Sequence, residues 1–138
     1  MTTPGRERRG LLDTSALIDV RADRLAAAVT DVAVSAVSIA ELSFGVTATA
    51  DPVVGLQRRR RLDAILDAFD VLAFDTAVAE FYGALATLVR AARRNPRPRR
   101  MDLQIAATAA RHDLVLCTHN AADFAGLESA VEVVDLDA

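Results

Sequence analysis

The stretch Leu11-Leu12-Asp13-Thr14-Ser15-Ala16-Leu17-Ile18 decides the fold class of this chain. Its two leucines indicate the end of a short buried strand, and the three polar residues after them are all plausible N-caps for a helix. A strand that runs directly into a helix is the opening unit of an α/β fold. Asp13 stands at the junction, where the carboxyl end of a strand borders the usual site of such folds.

The same alternation of strand and helix continues along the chain. Further strands are predicted at Val32–Ser35, Val71–Phe74, Leu114–Cys117 and Val131–Val134. Helices are predicted at Ala22–Val29, from Ser38 onward, at Asp51–Phe69, from Asp75 onward and at Met101–His112. This order predicts an α/β fold with a mostly parallel central sheet.

Length and composition are typical of one domain. The chain has 138 residues, of which 52% are hydrophobic, so a sizeable core can be buried. We expect residues 1–9 to form a flexible lead-in and residues 10–138 to form the domain. The sequence contains no apolar run long enough for a membrane span or a signal peptide. The single cysteine, Cys117, fits a reducing cytoplasm.

The basic residues are all arginine, and the chain has no lysine. The missing lysine argues against a P-loop, and no serine stands in a nucleophile elbow. The net charge of −3 gives no support for nucleic-acid binding, but the arginines cluster. Arg97, Arg99 and Arg100 directly precede Asp102 and are predicted to bind RNA phosphates. For the run Arg58–Arg61, a solvated helix face is the favoured interpretation.

Three carboxylates are candidates for a functional site, and each also has an ordinary structural explanation. Asp13 ends a strand but is also placed to cap a helix. Glu41 lies off the apolar stripe of its helix, as a solvated glutamate would. Asp102 shares a helix face with Ile105 and Ala109, so it is directed inward, where an unpaired charge is unfavourable. Either the N-terminus of that helix or a metal ion would compensate it.

A divalent cation offers these acids a common chemistry. Mg²⁺ takes oxygen ligands and keeps several waters, so a few carboxylates suffice to hold it. Such an ion can activate a water for attack on a phosphodiester and neutralise charge on the leaving oxygen. Spacing in the sequence does not by itself show that Asp13, Glu41 and Asp102 converge.

Four segments in order resemble the PIN-domain ribonucleases, and specifically the VapC-type toxins of bacterial toxin–antitoxin pairs. They cover nearly the whole chain: Leu11–Ile18, Val34–Leu42, Met101–Ala109 and Leu116–Phe124. The resemblance implies a three-layer α/β/α fold and an endoribonuclease dependent on Mg²⁺ or Mn²⁺. It also implies a homodimer, a cognate antitoxin that inserts residues into the active site, and Asp13, Glu41 and Asp102 as metal ligands. A structured RNA, such as a tRNA or ribosomal RNA loop, is the expected substrate.

One position departs from the family pattern. Many PIN domains carry a fourth acid just after the last core strand, and Asn120 stands there in this chain. Asn120 could bind the metal through its carbonyl oxygen, or Asp123 could substitute, although a loop turn is an equal alternative for Asp123. The change leaves a second metal open and makes a non-catalytic RNA- or protein-binding PIN-fold domain the alternative function.

Three hydroxyl residues adjoin the proposed ligands. Thr14, Ser38 and Thr118 are predicted to orient the carboxylates or their waters. For Thr14 and Ser38, helix capping is the alternative. His119 could assist proton transfer, although a loop role is favoured by its position after a strand.

Overall fold

A computed structural model of the protein describes residues 8–138. Within this range, five strands form one sheet, and all neighbouring strands are parallel: β1 (Arg9–Leu12), β2 (Asp31–Ser35), β3 (Asp70–Leu72), β4 (Val115–Thr118) and β5 (Val133–Asp135). Six α-helices connect or flank them: α1 (Thr14–Ile18), α2 (Ala22–Ala28), α3 (Ala36–Thr47), α4 (Pro52–Ala68), α5 (Thr76–Ala91) and α6 (Arg100–Arg111). Two short 3-10 helices, Arg97–Arg99 and Ala121–Phe124, precede α6 and follow β4.

The central strands separate two apolar cores. Because successive side chains of a strand point to opposite faces, the fully buried Leu11 and Leu12 enter different cores. Leu11 packs in a cluster built largely from α5 and α6, and Leu12 in one that includes α1 and α4. Their register partners are Ala33 and Leu116 for Leu11, and Val34 and Cys117 for Leu12. Helices therefore cover both faces of the sheet, which confirms the predicted α/β fold.

The order of the strands determines where the switch point of the sheet lies. The sheet runs β3-β2-β1-β4-β5, so the chain order reverses between β1 and β4. In open parallel sheets, such a switch point leaves a crevice beyond the carboxyl ends of the two strands. Asp13 directly follows β1, and Thr118 is the last residue of β4.

The predicted start of the third helix at Ser38 is wrong. The helix begins at Ala36 and is capped by Ser35, whose hydroxyl accepts a hydrogen bond from the Val37 backbone N–H at 3.0 Å. Ser38 is therefore inside the helix, fully buried, and capping no longer explains it. The predicted strands differ from the observed ones by one or two residues at their ends, as expected where strands are only three to five residues long.

The predicted lead-in falls mostly outside the described residues. Residues 1–7 are not described, and Arg9 is already the first residue of β1. Among the helices within residues 8–138, none is both long enough and apolar enough to cross a membrane.

Candidate active site

Asp13 lies directly after β1, at the switch point of the sheet, with only 4% of its surface exposed. Its Oδ1 accepts hydrogen bonds from the Ser15 hydroxyl at 2.7 Å and the Ala16 backbone N–H at 3.0 Å. Its Oδ2 accepts one from the Thr118 hydroxyl at 2.5 Å. Asp13 therefore does cap α1, as its sequence alternative proposed. A carboxylate offers about four acceptor positions, so these three donors leave one open on Oδ2.

Glu41 is aimed into the same region by a hydroxyl. The Thr14 hydroxyl donates a hydrogen bond to Glu41 Oε1 at 2.7 Å, and Ser38 Oγ lies 3.1 Å from the same Thr14 oxygen. This network joins the start of α1 to α3. Glu41 is consequently partly buried and held, unlike the solvated glutamate that its sequence position also allowed.

Asp102 is the carboxyl group of this region whose pKa is clearly raised. Its pKa is raised from 3.8 to about 6, chiefly by burial in the first turn of α6 and then by the negative charges of Asp123, Glu41 and Asp13, in that order. Arg99 acts in the opposite direction. Carboxylates that are far apart in the sequence therefore face one another closely enough to repel.

Asp123 and Asn120 occupy different environments. The Asp123 carboxylate accepts a hydrogen bond from the Arg99 guanidinium at 2.7 Å, and this contact raises the pKa of Arg99. Asn120 is exposed, and its backbone N–H donates to the Thr118 hydroxyl at 2.9 Å. Of the two candidates for the fourth position, Asp123 is the one whose charge acts on Asp102.

The donor set fits a hard divalent cation. Asp123, Glu41 and Asp13 each repel the carboxylate of Asp102, and a cation would relieve that repulsion. Within residues 8–138, no three acidic, histidine or cysteine side chains form a ready-made metal cage. Mg²⁺ does not require one, because it keeps several waters and binds through one or two direct carboxylates. The open acceptor position on Asp13 is available for such a ligand.

Both ring nitrogens of His119 lie within hydrogen-bond distance of an oxygen atom. Nδ1 lies 2.7 Å from the Asp137 carboxylate, and Nε2 lies 2.6 Å from the Asp19 carbonyl oxygen. These two acceptors, the Asp19 carbonyl foremost, raise the pKa of His119. His119 thus joins the end of α1 to the C-terminal residues, which supports the favoured loop role over proton transfer.

The predicted RNA-binding arginines divide into two groups. Arg99 is engaged with Asp123, with about two fifths of each side chain still exposed. Arg97 and Arg100 instead line a cavity of about 390 Å³ together with Tyr82 and Arg90. Only Arg99 is thus in contact with an active-site candidate.

Two functional candidates were missed in the sequence. A cavity of about 450 Å³ is lined by Thr14 and Glu41 and also by Arg58 and Arg61. A solvated helix face was the favoured interpretation of the arginine run. Its i, i+3 spacing was the available signal that these two side chains share one face.

The comparisons with known proteins agree on one family. Residues 10–136 match the family described as PIN domain. Over 135 residues the chain is 36% identical to Ribonuclease VapC5 of Mycobacterium tuberculosis, which covers 96% of this chain and 95% of that protein. The chain is also similar to a crystal structure of VapBC-5 from Mycobacterium tuberculosis, a member of the VapBC family of toxin–antitoxin systems. That match has a TM-score of 0.77 and 33% identity, and it covers 92% of this chain and 96% of the other. FitAcB from Neisseria gonorrhoeae matches with a TM-score of 0.73 and 28% identity, over 91% and 96% of the two chains.

Proposed function

This chain belongs to the PIN-domain family, and on that premise we propose that it is a metal-dependent endoribonuclease and the toxin of a toxin–antitoxin pair. The observation that carries the proposal is the placement of Asp102 within reach of three other acids, because burial and the charges of Asp123, Glu41 and Asp13 raise its pKa. The similarity to a VapC5 ribonuclease supports the reaction class.

Asp13, Glu41 and Asp102 are the proposed ligands, with Asp123 in the fourth position. A divalent cation, Mg²⁺ or Mn²⁺, would activate a water and neutralise charge on the scissile phosphate. Asp13 is the most firmly held ligand, because three donors fix its carboxylate. Thr14 positions Glu41 through a 2.7 Å hydrogen bond. Such outer contacts keep ligands in the geometry that the reaction needs.

Ser38 and Thr118 complete the proposed supporting contacts. Ser38 Oγ lies beside the Thr14 hydroxyl, and Thr118 donates to Asp13 while accepting from the backbone of Asn120. Thr118 therefore fixes both the first acid and the loop that follows β4. Asn120 has a backbone role in this network, which favours Asp123 over its amide as the fourth polar group.

The proposed substrate is a structured RNA, such as a tRNA or ribosomal RNA loop. Arg97 and Arg100 are the proposed contacts to its phosphates, because guanidinium groups bind phosphate oxygens in pairs. Tyr82 lines the same cavity. We place the protein in the cytoplasm, where such RNA is found.

A homodimer and a cognate antitoxin are the proposed protein partners. The similar VapBC-5 structure belongs to a toxin–antitoxin family, which supports an antitoxin. Large apolar side chains remain exposed on α1, α3 and α4, as expected of a chain that binds partners. They are Ile18, Phe44, Val53, Leu56 and Leu66.

Cleavage of total cellular RNA with Mg²⁺ tests the activity. The wild-type protein should cleave, and Asp13→Asn should lower the rate by about a thousandfold, because several kcal/mol of charge stabilisation depend on the metal site. Asp63→Asn, an exposed change on α4, is the charge-matched control and should cleave normally. Equal cleavage by wild type and Asp13→Asn would contradict the assignment. Absence of cleavage by all three would favour the non-catalytic binding alternative.

Thermal melting with and without Mg²⁺ gives a second readout that needs no RNA. Mg²⁺ should raise the melting temperature of the wild type and of Asp63→Asn, since a ligand that binds only the folded state stabilises it. Asp13→Asn should show a much smaller rise. An equal rise in all three proteins would place the cation elsewhere.

A further inference from the structure

The cavity of about 450 Å³ between α1, α3 and α4 has two chemically different sides. Thr14 and Glu41 line one side and belong to the proposed active site. Arg58 and Arg61 line the other side and come from α4. The cavity therefore connects the acidic crevice directly to two guanidinium groups.

The arginine run is divided by the geometry of α4. Arg58 and Arg61 are three residues apart, so they share a face, and Ile65, the buried position four residues after Arg61, continues that face inward. All four arginines of the run are exposed, but Arg59 and Arg60 do not line the cavity. Four consecutive residues of one type thus supply two side chains for the cavity lining and two that lie away from it.

Arg58 is held in place by the protein. Its Nη1 donates a hydrogen bond to the Gly45 carbonyl oxygen of α3 at 2.7 Å. A guanidinium has five N–H donors, so this contact orients the group and leaves donors for an anion. Gly45 also lines the cavity, and the held group therefore lies at its wall.

Neither cation is neutralised by the neighbouring acid. Among the described residues, the ion pairs within 4.0 Å include none between Glu41 and Arg58 or Arg61. Their positive charge remains available beside a crevice whose acids repel an RNA backbone. A polyanion that enters such a crevice needs cations close to it.

We propose that Arg58 and Arg61 bind a backbone phosphate of the RNA strand next to the phosphate that is cleaved. The proposal rests on the ribonuclease function proposed above. Arginine pairs suit phosphate because the planar guanidinium matches its oxygens, and the contact is independent of base sequence. Glu41 lines the same cavity and is a proposed metal ligand, so the bound phosphate would be a neighbour of the scissile one.

Binding of a short fluorescein-labelled single-stranded RNA of mixed sequence tests the subsite. The assay uses the whole protein in EDTA, so affinity is measured without cleavage. Arg58→Gln/Arg61→Gln should weaken binding about tenfold, from two exposed charge contacts. The slope of log affinity against log salt should fall in magnitude by about 0.7, because one phosphate contact on a single strand is lost.

The chain supplies its own matched control on the same helix. Arg59→Gln/Arg60→Gln makes the same change in net charge and should keep the affinity within about twofold and the salt slope unchanged. Equal losses in the two double variants would mean that only net charge matters, and would overturn the proposal. Wild-type protein that does not bind this RNA would also overturn it.

A single substitution separates binding from folding. Arg61→Gln leaves the Arg58–Gly45 hydrogen bond intact and should still weaken RNA binding about threefold without lowering the melting temperature. If Arg61→Gln binds RNA as tightly as the wild type, the paired subsite is wrong. This variant keeps the test valid even if loss of Arg58 destabilises the α3–α4 pair.

Cleavage kinetics distinguish this inference from the proposed function. Arg58→Gln/Arg61→Gln should raise KM about tenfold while kcat changes by less than about twofold, because the phosphate contact is made before and during the reaction alike. Wild type that does not cleave contradicts the ribonuclease function. Wild type that cleaves, beside a double variant with unchanged KM, contradicts only the subsite.

A poly-glutamate peptide tests a protein partner in place of RNA. If the double variant loses affinity for poly-glutamate but keeps its affinity for RNA, the two arginines take a protein carboxylate, and the RNA proposal is overturned. The expected result is the reverse: weakened RNA binding with little binding of the peptide by either protein.

Discussion

Asp102 lies in the first turn of α6, on the same face as the buried Ile105 and Ala109. That position removes much of its hydration, and three further acids act on it from other parts of the chain. Its raised pKa is therefore the joint result of a local helix pattern and of distant charges. Two of these acids accept a hydrogen bond from a neighbouring side chain: Glu41 from the Thr14 hydroxyl and Asp123 from the Arg99 guanidinium.

The raised pKa predicts how stability depends on pH in metal-free protein. The folded state holds the Asp102 proton up to about pH 6, whereas its ordinary pKa is 3.8. Stability should therefore fall as the pH rises between these two values, and the loss should be complete above the folded pKa. Asp102→Asn should raise the free energy of unfolding by about 1 kcal/mol near pH 8, a value reduced for solvent screening, with little effect near pH 4.

Urea denaturation in EDTA at these two pH values measures this difference. Asp63→Asn, on the exposed side of α4, should change stability equally little at both. A stabilisation by Asp102→Asn that is the same at both pH values would show that packing, and not the carboxylate charge, is responsible.

At the scale of elements, α5 and α6 end in the same way. Each is followed by a non-glycine residue in the left-handed region, Arg93 with φ of 59° and Asp113 with φ of 54°. After α6, the Leu114 N–H donates to the Ala109 carbonyl and the Asp113 N–H to the Ala110 carbonyl, which is a Schellman motif. Glycine is the residue that such a position favours, so the backbone at Asp113 is strained.

Asp113→Gly should therefore stabilise the protein by about 0.5–1 kcal/mol, since relief of the left-handed strain exceeds the added entropy of the unfolded chain. Thermal melting measures the effect as a rise of a few degrees. Asp113→Ala is the control, because it removes the charge but keeps a Cβ, and it should not stabilise. Equal gains from both substitutions would point to charge, and not backbone conformation, as the cause.

At the scale of the whole molecule, the sheet carries two cores that share no buried residue. Leu116 is fully buried in the core beside α5 and α6 and pairs in register with Leu11. Deep packing of this kind leaves a cavity when a side chain is shortened. Phe44, in contrast, is 74% exposed on α3.

Leu116→Ala should lower the free energy of unfolding by about 2–5 kcal/mol, from lost transfer energy and an unfilled cavity. Phe44→Ala should change it by less than about 0.5 kcal/mol. Chemical denaturation at an unchanged m-value gives both numbers. A loss below about 1 kcal/mol for Leu116→Ala would mean that the core at this strand is not packed as described.

The local features of this protein can be predicted from its amino-acid sequence alone. The alternation of apolar strands and capped helices predicted the α/β fold, and the position of Asp13 after a strand predicted a site at the sheet edge. The helix face of Asp102 predicted an inward carboxylate. The fold prediction is confirmed, because helix and strand periods, caps and turn residues act over a few neighbouring positions. The site at the sheet edge stays a prediction.

Which of these features come into contact depends on the tertiary fold. The hydrogen bond between Asp13 and Thr118 joins residues 105 positions apart and depends on β1 and β4 being neighbours. The same holds for the charge of Asp123 on Asp102, and for Arg58 and Arg61 beside Glu41. Strand order and helix packing are set by the burial of two whole cores, and no local pattern contains that information.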